Sequence, residues 1–394
     1  MSLLKKQITI LTIVLLSSVF GFAQEQYTYD SVNAKSYRLY NSNDWTNLLN
    51  YGKDVVNHQI DFQFLRLRLG YAAFQLNNYS EAITHYEKVI QNDSYNTVAR
   101  YYLWVCNGML NNNEFGDRNI PFIAAEAITE EKRKSTRITE IGIESSYKAT
   151  DLLRRGNSLY GRFDLSARLG YNLHIQQSFA LYNSKINEPL YTSVNNNTNI
   201  QINQVEYYNK TSLTLDKRWV IKGAYHYLYT PFNNLSYKNN IGMLGLQYNK
   251  PKFSLQVNTI MGKLIDSSFQ QYTAQLKWYP LGNLNFYSFT TGSLRKASDK
   301  VYNLKQVVGF KAFEHCWAEG YITLGAFRNI TENDILYVYN AIDKTLSKKG
   351  VSIYTDVIPG CILQIGYTYE QLELYKKPTT FNQHSIIGGI KWKI

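Results

Sequence analysis

From Arg137 onward the chain alternates apolar and polar side chains in segments of roughly ten to fourteen residues. Over residues 160–171, Phe163, Leu165, Ala167, Leu169 and Tyr171 fall on one face, and Arg162, Asp164, Ser166 and Arg168 on the other. That is the period of two of a strand whose faces meet different surroundings. A tilted strand crosses the hydrocarbon layer of a membrane in about 9–11 residues. β-Structure spans lipid only as a closed barrel, because an open edge leaves backbone groups unpaired. One such segment is a weak signal, but its repetition over 137–394 predicts a transmembrane β-barrel, apolar outside and polar inside.

The connections set the strand count. Tight ones are expected at 172–174, 216–218, 249–252, 279–283, 313–316 and 358–361. Long ones are expected at 150–159, 186–197, 231–238, 263–267, 295–301, 329–347 and 374–381. The two sets interleave, which gives an antiparallel barrel of about 14 strands; 12 is the alternative if two hairpins are loop excursions. Short turns belong on the periplasmic side of an outer-membrane barrel and long loops outside. The helical region and the C-terminus are then periplasmic. Residues 336–342 look like a strand inside the 329–347 loop and are expected to extend a hairpin beyond the membrane.

Residues 27–116 change to a helical period. Within them, 63–96 resembles a tetratricopeptide (TPR) repeat: Leu69, Gly70 and Ala73 on a first helix, Ala82, Tyr86 and Val89 on a second. One repeat is too small to stand alone. Residues 31–56 and 97–110 are therefore expected to extend it to about five helices, a short α-helical domain ahead of the barrel. Residues 117–136 read as a charged linker. At the start, Lys5 and Lys6, an apolar stretch over 8–22 and small residues at Gly21 and Ala23 predict a signal peptide over 1–23. No Cys follows the cleavage point directly, so a lipid anchor is not expected.

Tyr is abundant (34) and Pro scarce (7), which suits long strands with aromatic girdles. Trp219, Trp278, Trp317 and Trp392 lie close to short turns or the C-terminus and are expected to form the periplasmic-side girdle. The formal net charge of +12 fits rims that face anionic lipid headgroups or acidic polymers. No nucleic-acid motif accompanies it. Cys106, Cys316 and Cys361 are expected as free thiols with no metal or cofactor role. In the last strand Ile390, Trp392 and Ile394 share one face, as in the C-terminal signal by which outer-membrane barrels are recognised by the barrel assembly machinery. That strand must close against the first, bringing Lys391 or Lys393 near Glu140.

Alternation places Glu140, Glu144, Lys148, Arg162, Asp164, Arg168, Glu206, Lys222, His226, Lys277, Lys305 and Glu319 toward the lumen. Such charges are tolerable inside a barrel where they pair or meet water. They describe either a hydrated pathway for a polar solute or a salt-bridged filling. His226 is the one His expected on the lumen face in mid-strand, and no Gly-x-Ser-x-Gly elbow accompanies it. A polar filler is the simpler reading than a catalytic base. Glu332, Asp334 and Asp343 read as a solvated acidic loop rather than a Ca²⁺ site.

Taken together, a signal, a short TPR-like domain and a C-terminal barrel resemble the YaiO-type outer-membrane β-barrel family in its TPR-bearing form. Residues 278–287 (Trp-Tyr-Pro-Leu-Gly-Asn-Leu-Asn-Phe-Tyr) and 382–385 (Asn-Gln-His-Ser) are similar to that family's strand ends. The resemblance implies an outer-membrane location and this architecture, and no activity tied to particular residues. The expected function is a non-enzymatic conduit or component for export of a polar polymer such as a polysaccharide. The helical domain would dock a periplasmic or outer-membrane protein partner. A closed structural or adaptor subunit and a lipid-modifying barrel enzyme are the alternatives.

Overall fold

A computed structural model of the protein describes residues 27–187, 200–232, 235–264, 267–375 and 377–394. The expected signal peptide over 1–23 and most of the expected 186–197 loop lie outside the described residues. The chain divides into two compact units, Met1–Leu76 and Asn77–Ile394.

In the first unit, α1 (Tyr29–Asn41), α2 (Trp45–Asn57) and α3 (Gln63–Gln75) bury Val32, Leu48, Val55, Leu65 and Leu69. Thr28 and Ser31 form a reciprocal cap at the start of α1, and the Asp44 carboxylate caps α2. α2 and α3 pack closely at Gly52, where an added Cβ would collide with the Leu69 side chain.

The second unit begins with α4 (Tyr79–Asn92) and α5 (Thr97–Met109), capped by Asn78 and Asn96. They pack through Tyr86 and Tyr102, whose rings stack at 5.0 Å. Ala82, Tyr86 and Val89 are fully buried. There follow α6 (Asn113–Gly116), two 3-10 turns (Asp117–Phe122 and Ala125–Ala127) and α7 (Glu130–Arg133). Residues 117–136 are not an open tether. Ile120, Ile123 and Ile128 form a core of their own against Tyr101, Trp104 and Tyr171.

The barrel strands are β1 (Arg137–Thr150), β2 (Arg155–Leu169), β3 (Leu173–Ile186), β4 (Ile200–Thr214), β5 (Trp219–Phe232), β6 (Leu235–Lys250) and β7 (Phe253–Leu264). They continue as β8 (Ser267–Trp278), β9 (Phe286–Lys296), β10 (Lys300–Phe313) and β11 (Cys316–Leu324). After a two-stranded insert, β12 (Thr331–Glu332) with β13 (Tyr337–Val338), come β14 (Lys344–Ile358), β15 (Cys361–Glu373) and β16 (Thr380–Lys393). The fourteen long strands form one closed antiparallel barrel. β16 closes on β1, with Ile141 opposite Trp392 and Ile143 opposite Ile390, and Lys391 Nζ lies 3.6 Å from Glu140 Oε1. Closure leaves no unpaired edge.

The outer wall is apolar. Ile143, Leu181, Leu244, Ile353, Ile365 and Ile386 are each more than half exposed, at 52–65%. Contiguous exposure of this kind is that of a membrane-spanning barrel facing lipid, not water. Among the described residues, no helix is long and apolar enough to cross a membrane. Trp219, Trp278 and Trp392 are exposed on the outer face at the end that carries the C-terminus. Trp317, expected beside them, faces inward. It shares strand parity with Glu319, and its indole N–H donates to Leu284 O at 3.2 Å.

The connections depart from expectation. Ile186 to Ile200 and Leu324 to Lys344 are long; at the other ends expected to carry long loops the strands run on until two to six residues separate them. Pro231 pairs with Ser236, Lys263 with Ser268 and Lys300 with Lys296 right up to the turns. Polar rim residues read as loop stay in strand because the ladder satisfies their backbones whatever their side chains. Residues 336–342 do not extend outward either: the insert folds into the lumen.

If the β1–β16 register is right, cysteines at Ile143 and Ile390, with Cys316 and Cys361 replaced by Ser, will crosslink within a single chain. Electrophoresis of the oxidised protein showing only chain-to-chain crosslinks would refute the seam.

Candidate functional site: the barrel lumen

The lumen is built by wall charges, by the insert arriving from one end, and by residues 113–134 closing the other. A chain segment threading a charged tube must neutralise what it covers, because an unpaired buried charge costs several kcal/mol. The insert does so at each carboxylate. Asp334 lies 3.6 Å from Lys210 Nζ and 3.8 Å from Lys222 Nζ, and accepts from Gln256 at 2.6 Å. Glu332 meets Lys305 at 2.6 Å. Asp343 accepts a two-pronged contact from Arg155 at 2.7 and 2.9 Å. These three carboxylates are therefore not a solvated acidic loop. Each is matched to a cation of the wall.

Apolar packing and backbone bonds hold the insert as well. Ile335 is fully buried against Tyr208, Leu228, Ile241, Met243 and Ile260, with Leu336 and Val338 beside it. Gln271 of β8 brackets Thr331, donating to its carbonyl at 2.9 Å and accepting from its N–H at 3.1 Å. Tyr208 donates to Asp334 O at 3.1 Å. The tip is strained: Asn333, Asp334 and Ile335 all have positive φ, at 51°, 56° and 61°. Asn and Asp tolerate that region, but for a β-branched residue it is an outlier costing of order 1–3 kcal/mol.

The remaining wall charges are placed as follows. Arg162 reaches Asp164 at 2.9 Å and Glu144 at 3.4 Å, under the Tyr337 ring at 4.7 Å. Tyr337 donates to the same Glu144 at 2.9 Å. His226 is held between Glu206 (3.1 Å) and Ile335 O (2.6 Å), so both ring nitrogens are engaged. Glu319 accepts the hydroxyls of Tyr287 and Tyr354 at 2.7 and 3.1 Å. Lys277 lies over the Phe289 ring at 5.5 Å. What space is left is a cavity of about 960 Å³ lined by Glu144, Lys148, Glu206, Lys277, Lys305 and Glu319 among others. Arg162, Asp164, Lys222 and His226 are buried in the packing. Lys210, Arg155 and Lys348 stand outside the set that alternation was expected to place in the lumen, although strict alternation from Glu206 along β4 points Lys210 inward.

At the short-turn end, Arg168 belongs to the closure, while Glu140 pairs with Lys391 at the β1–β16 seam. Asp117 receives Arg168 and His174, each at 3.0 Å. Arg168 also donates to the carbonyls of Lys132 and Lys134 at 2.9 and 2.5 Å, and Tyr171 to Arg133 O at 2.9 Å. Thr214 donates to Glu114 O at 3.0 Å, and Glu87 pairs with Arg218 at 2.5 Å. Ser80 N–H donates to Gly282 O at 3.0 Å, on a turn whose Gly282 has φ +72° and would put a Cβ against Asn78. Burial raises the Asp117 carboxyl, but the hydrogen bond from His174 and the charge of Arg168 outweigh it and hold it below the usual carboxylate value. Glu114 is lowered in the same way: burial opposes, while Lys222, Lys210 and a hydrogen bond from Ser212 prevail. For Glu87 burial wins over Arg218, and its carboxyl is raised.

Among the described residues, no group of three or more His, Cys, Asp or Glu is arranged to hold a metal ion. Cys106, Cys316 and Cys361 are free thiols.

No protein-family model and no curated protein sequence matches the chain. Solved structures similar to it are outer-membrane barrels. One is a deltaS2S3 mutant of the monoaromatic hydrocarbon channel TodX, with TM-score 0.47, 6% identity, 66% of this chain and 91% of that chain covered. The Acinetobacter baumannii outer membrane protein Omp33 aligns with TM-score 0.38 and 9% identity, over 65% of this chain and 99% of that one. The KdgM porin gives 0.33 and 8%, over 64% and 99%.

Because the folded Asp117 and Glu114 carboxyls lie below their unfolded values, the stability they lend is present at neutral pH. It is lost as pH falls through and below the ordinary carboxylate range of about 4. Asp117→Asn should loosen the closure at neutral pH, by less than the about 3–5 kcal/mol of a fully stranded buried charge, since Arg168 keeps its bonds to the Lys132 and Lys134 carbonyls. Trypsin cutting after Lys132–Lys134 in the folded, detergent-solubilised protein will then accelerate. An unchanged cleavage rate would show that Asp117 does not hold this segment.

Proposed function

We propose that the protein is an outer-membrane conduit for a polar polymer such as a polysaccharide, closed at rest by its own lumen insert. The observation that carries this reading is the insert itself. It occupies a charged lumen with residual space, is matched to wall lysines and arginines, and has a strained tip. The three left-handed residues at its tip store strain that withdrawal would release, and a cavity of about 960 Å³ stands beside it. In this reading the TPR-like helices over 27–116 dock a periplasmic or outer-membrane partner, Ile390, Trp392 and Ile394 address the barrel assembly machinery, and 1–23 is removed on export. The resemblance to the YaiO-type family suits this arrangement. The reading is non-enzymatic: both nitrogens of His226 are already engaged, which leaves none to activate a nucleophile.

One observation favours a second reading, a closed structural or adaptor subunit. The short-turn end is sealed by direct hydrogen bonds and ion pairs from residues 80–134. Planar-bilayer conductance separates the two. The intact protein should conduct little. Replacing 330–340 with a short Gly-Ser linker, alone and combined with Glu114→Gln and Asp117→Asn, should raise single-channel conductance at least about tenfold. If neither variant conducts, the conduit reading fails and the adaptor reading stands.

Orientation is testable on whole cells. In a chain lacking Cys316 and Cys361, a cysteine at Ser298 should react with a membrane-impermeant thiol reagent, and one at Glu314 should not. The opposite pattern would invert the topology.

A further inference from the structure

The outer wall carries a feature that the lumen does not explain. Lys296 ends β9 and Lys300 begins β10, and they are direct cross-strand partners on the outward face. Both are exposed. Like charges directly opposite one another destabilise a sheet. The nearby acid does not relieve them: Asp299, in the turn between them, pairs with the inward-facing Arg295 at 3.3 Å. Among the described residues neither lysine has an acidic partner; Lys296 lies instead over the Tyr272 ring at 5.5 Å.

Directly below this pair the wall is hollow. Two residues down each strand, Leu294 and Tyr302 face each other, and Leu294 also faces Tyr272. Two further down, Gly292 stands beside Ala274. There the wall recedes into an apolar depression of about 920 Å³ whose lining includes Tyr272, Ala274, Gly292, Leu294 and Tyr302. From Lys296 to Gly292 the strand runs about 13 Å. Two cations at the edge of the apolar belt, tyrosines beneath them and a greasy hollow below match the order of groups in one molecule: a phosphate, an interfacial region and an acyl chain.

We propose that Lys296, Lys300 and the depression under them form a binding site for one phosphate-bearing anionic lipid of the surrounding bilayer. The lysine pair holds the phosphate between its two ammonium groups, and the hollow at Gly292 and Ala274 takes part of an acyl chain. The bound phosphate cancels a repulsion built into the β9–β10 hairpin, so the lipid stabilises that hairpin as well as being held by it.

The test is native mass spectrometry of the full chain in mild detergent, titrated with dimyristoyl phosphatidylglycerol or dimyristoyl phosphatidylcholine. The folded state of each variant is checked by its electrophoretic mobility before and after boiling. The wild-type protein should retain one phosphatidylglycerol in preference to phosphatidylcholine. Lys296→Gln with Lys300→Gln should weaken phosphatidylglycerol about tenfold or more and abolish the preference. Gly292→Leu, whose side chain enters open space, should weaken both lipids. Two results would overturn the proposal: equal retention by the double lysine variant, or an equal loss from Lys185→Gln with Lys238→Gln elsewhere on the rim.

Discussion

A closed sheet in lipid has solved its backbone problem and created an electrostatic one. The lumen wall presents Arg162, Lys222, Lys210, Lys305, Arg155 and Lys348, of which Arg162, Lys222 and Lys348 are buried. An uncompensated charge there is costly, and a compensated one is close to neutral in energy. Neutralisation is therefore the condition on which the interior rests. Some of it is local to the wall, as where Arg162 meets Asp164 and Glu144. The rest is imported by chain that is not part of the barrel at all.

That import gives the insert and the end closure their shape. Asp334 does not reach Lys210 and Lys222 by a relaxed turn. Three successive left-handed residues aim it there, one of them Ile335, and burial of that side chain among Leu228, Ile241 and Ile260 offsets the strain. At the other end Asp117 satisfies an arginine and a histidine of two adjacent strands, and the segment that carries it has its own small apolar core. Both pieces combine a charge that fits one place with apolar residues that hold it there.

Much of the architecture is written locally. The period of two at Phe163 to Tyr171 marks a strand by itself, and so does the interleaving of turns that counts to fourteen. What alternation does not carry is the partner. It says that Lys222 shares a face with His226; it is silent on whether either meets water, a strand or a plug. Glu332, Asp334 and Asp343 read as solvated because polar residues between strands ordinarily are. The one local hint is the apolar Ile335, Leu336 and Val338 in their midst, and over 336–342 that pattern reads as one more strand. The rims misled for the opposite reason: Lys263, Lys296 and Lys300 are polar, yet still in the ladder. Nearness to a turn points Trp317 to the girdle, whereas Glu319, two residues on, fixes its face inward.

Glu114 and Asp334 come from opposite ends of the barrel and draw on the same two lysines, Lys210 and Lys222. Two anions that share a cation pair compete for it and repel each other. Withdrawing either one leaves the lysines to the other and tightens its hold. By thermodynamic linkage the effect is reciprocal. The charge balance thus ties the two ends of the lumen together: a change of charge at one end is felt at the other through Lys210 and Lys222.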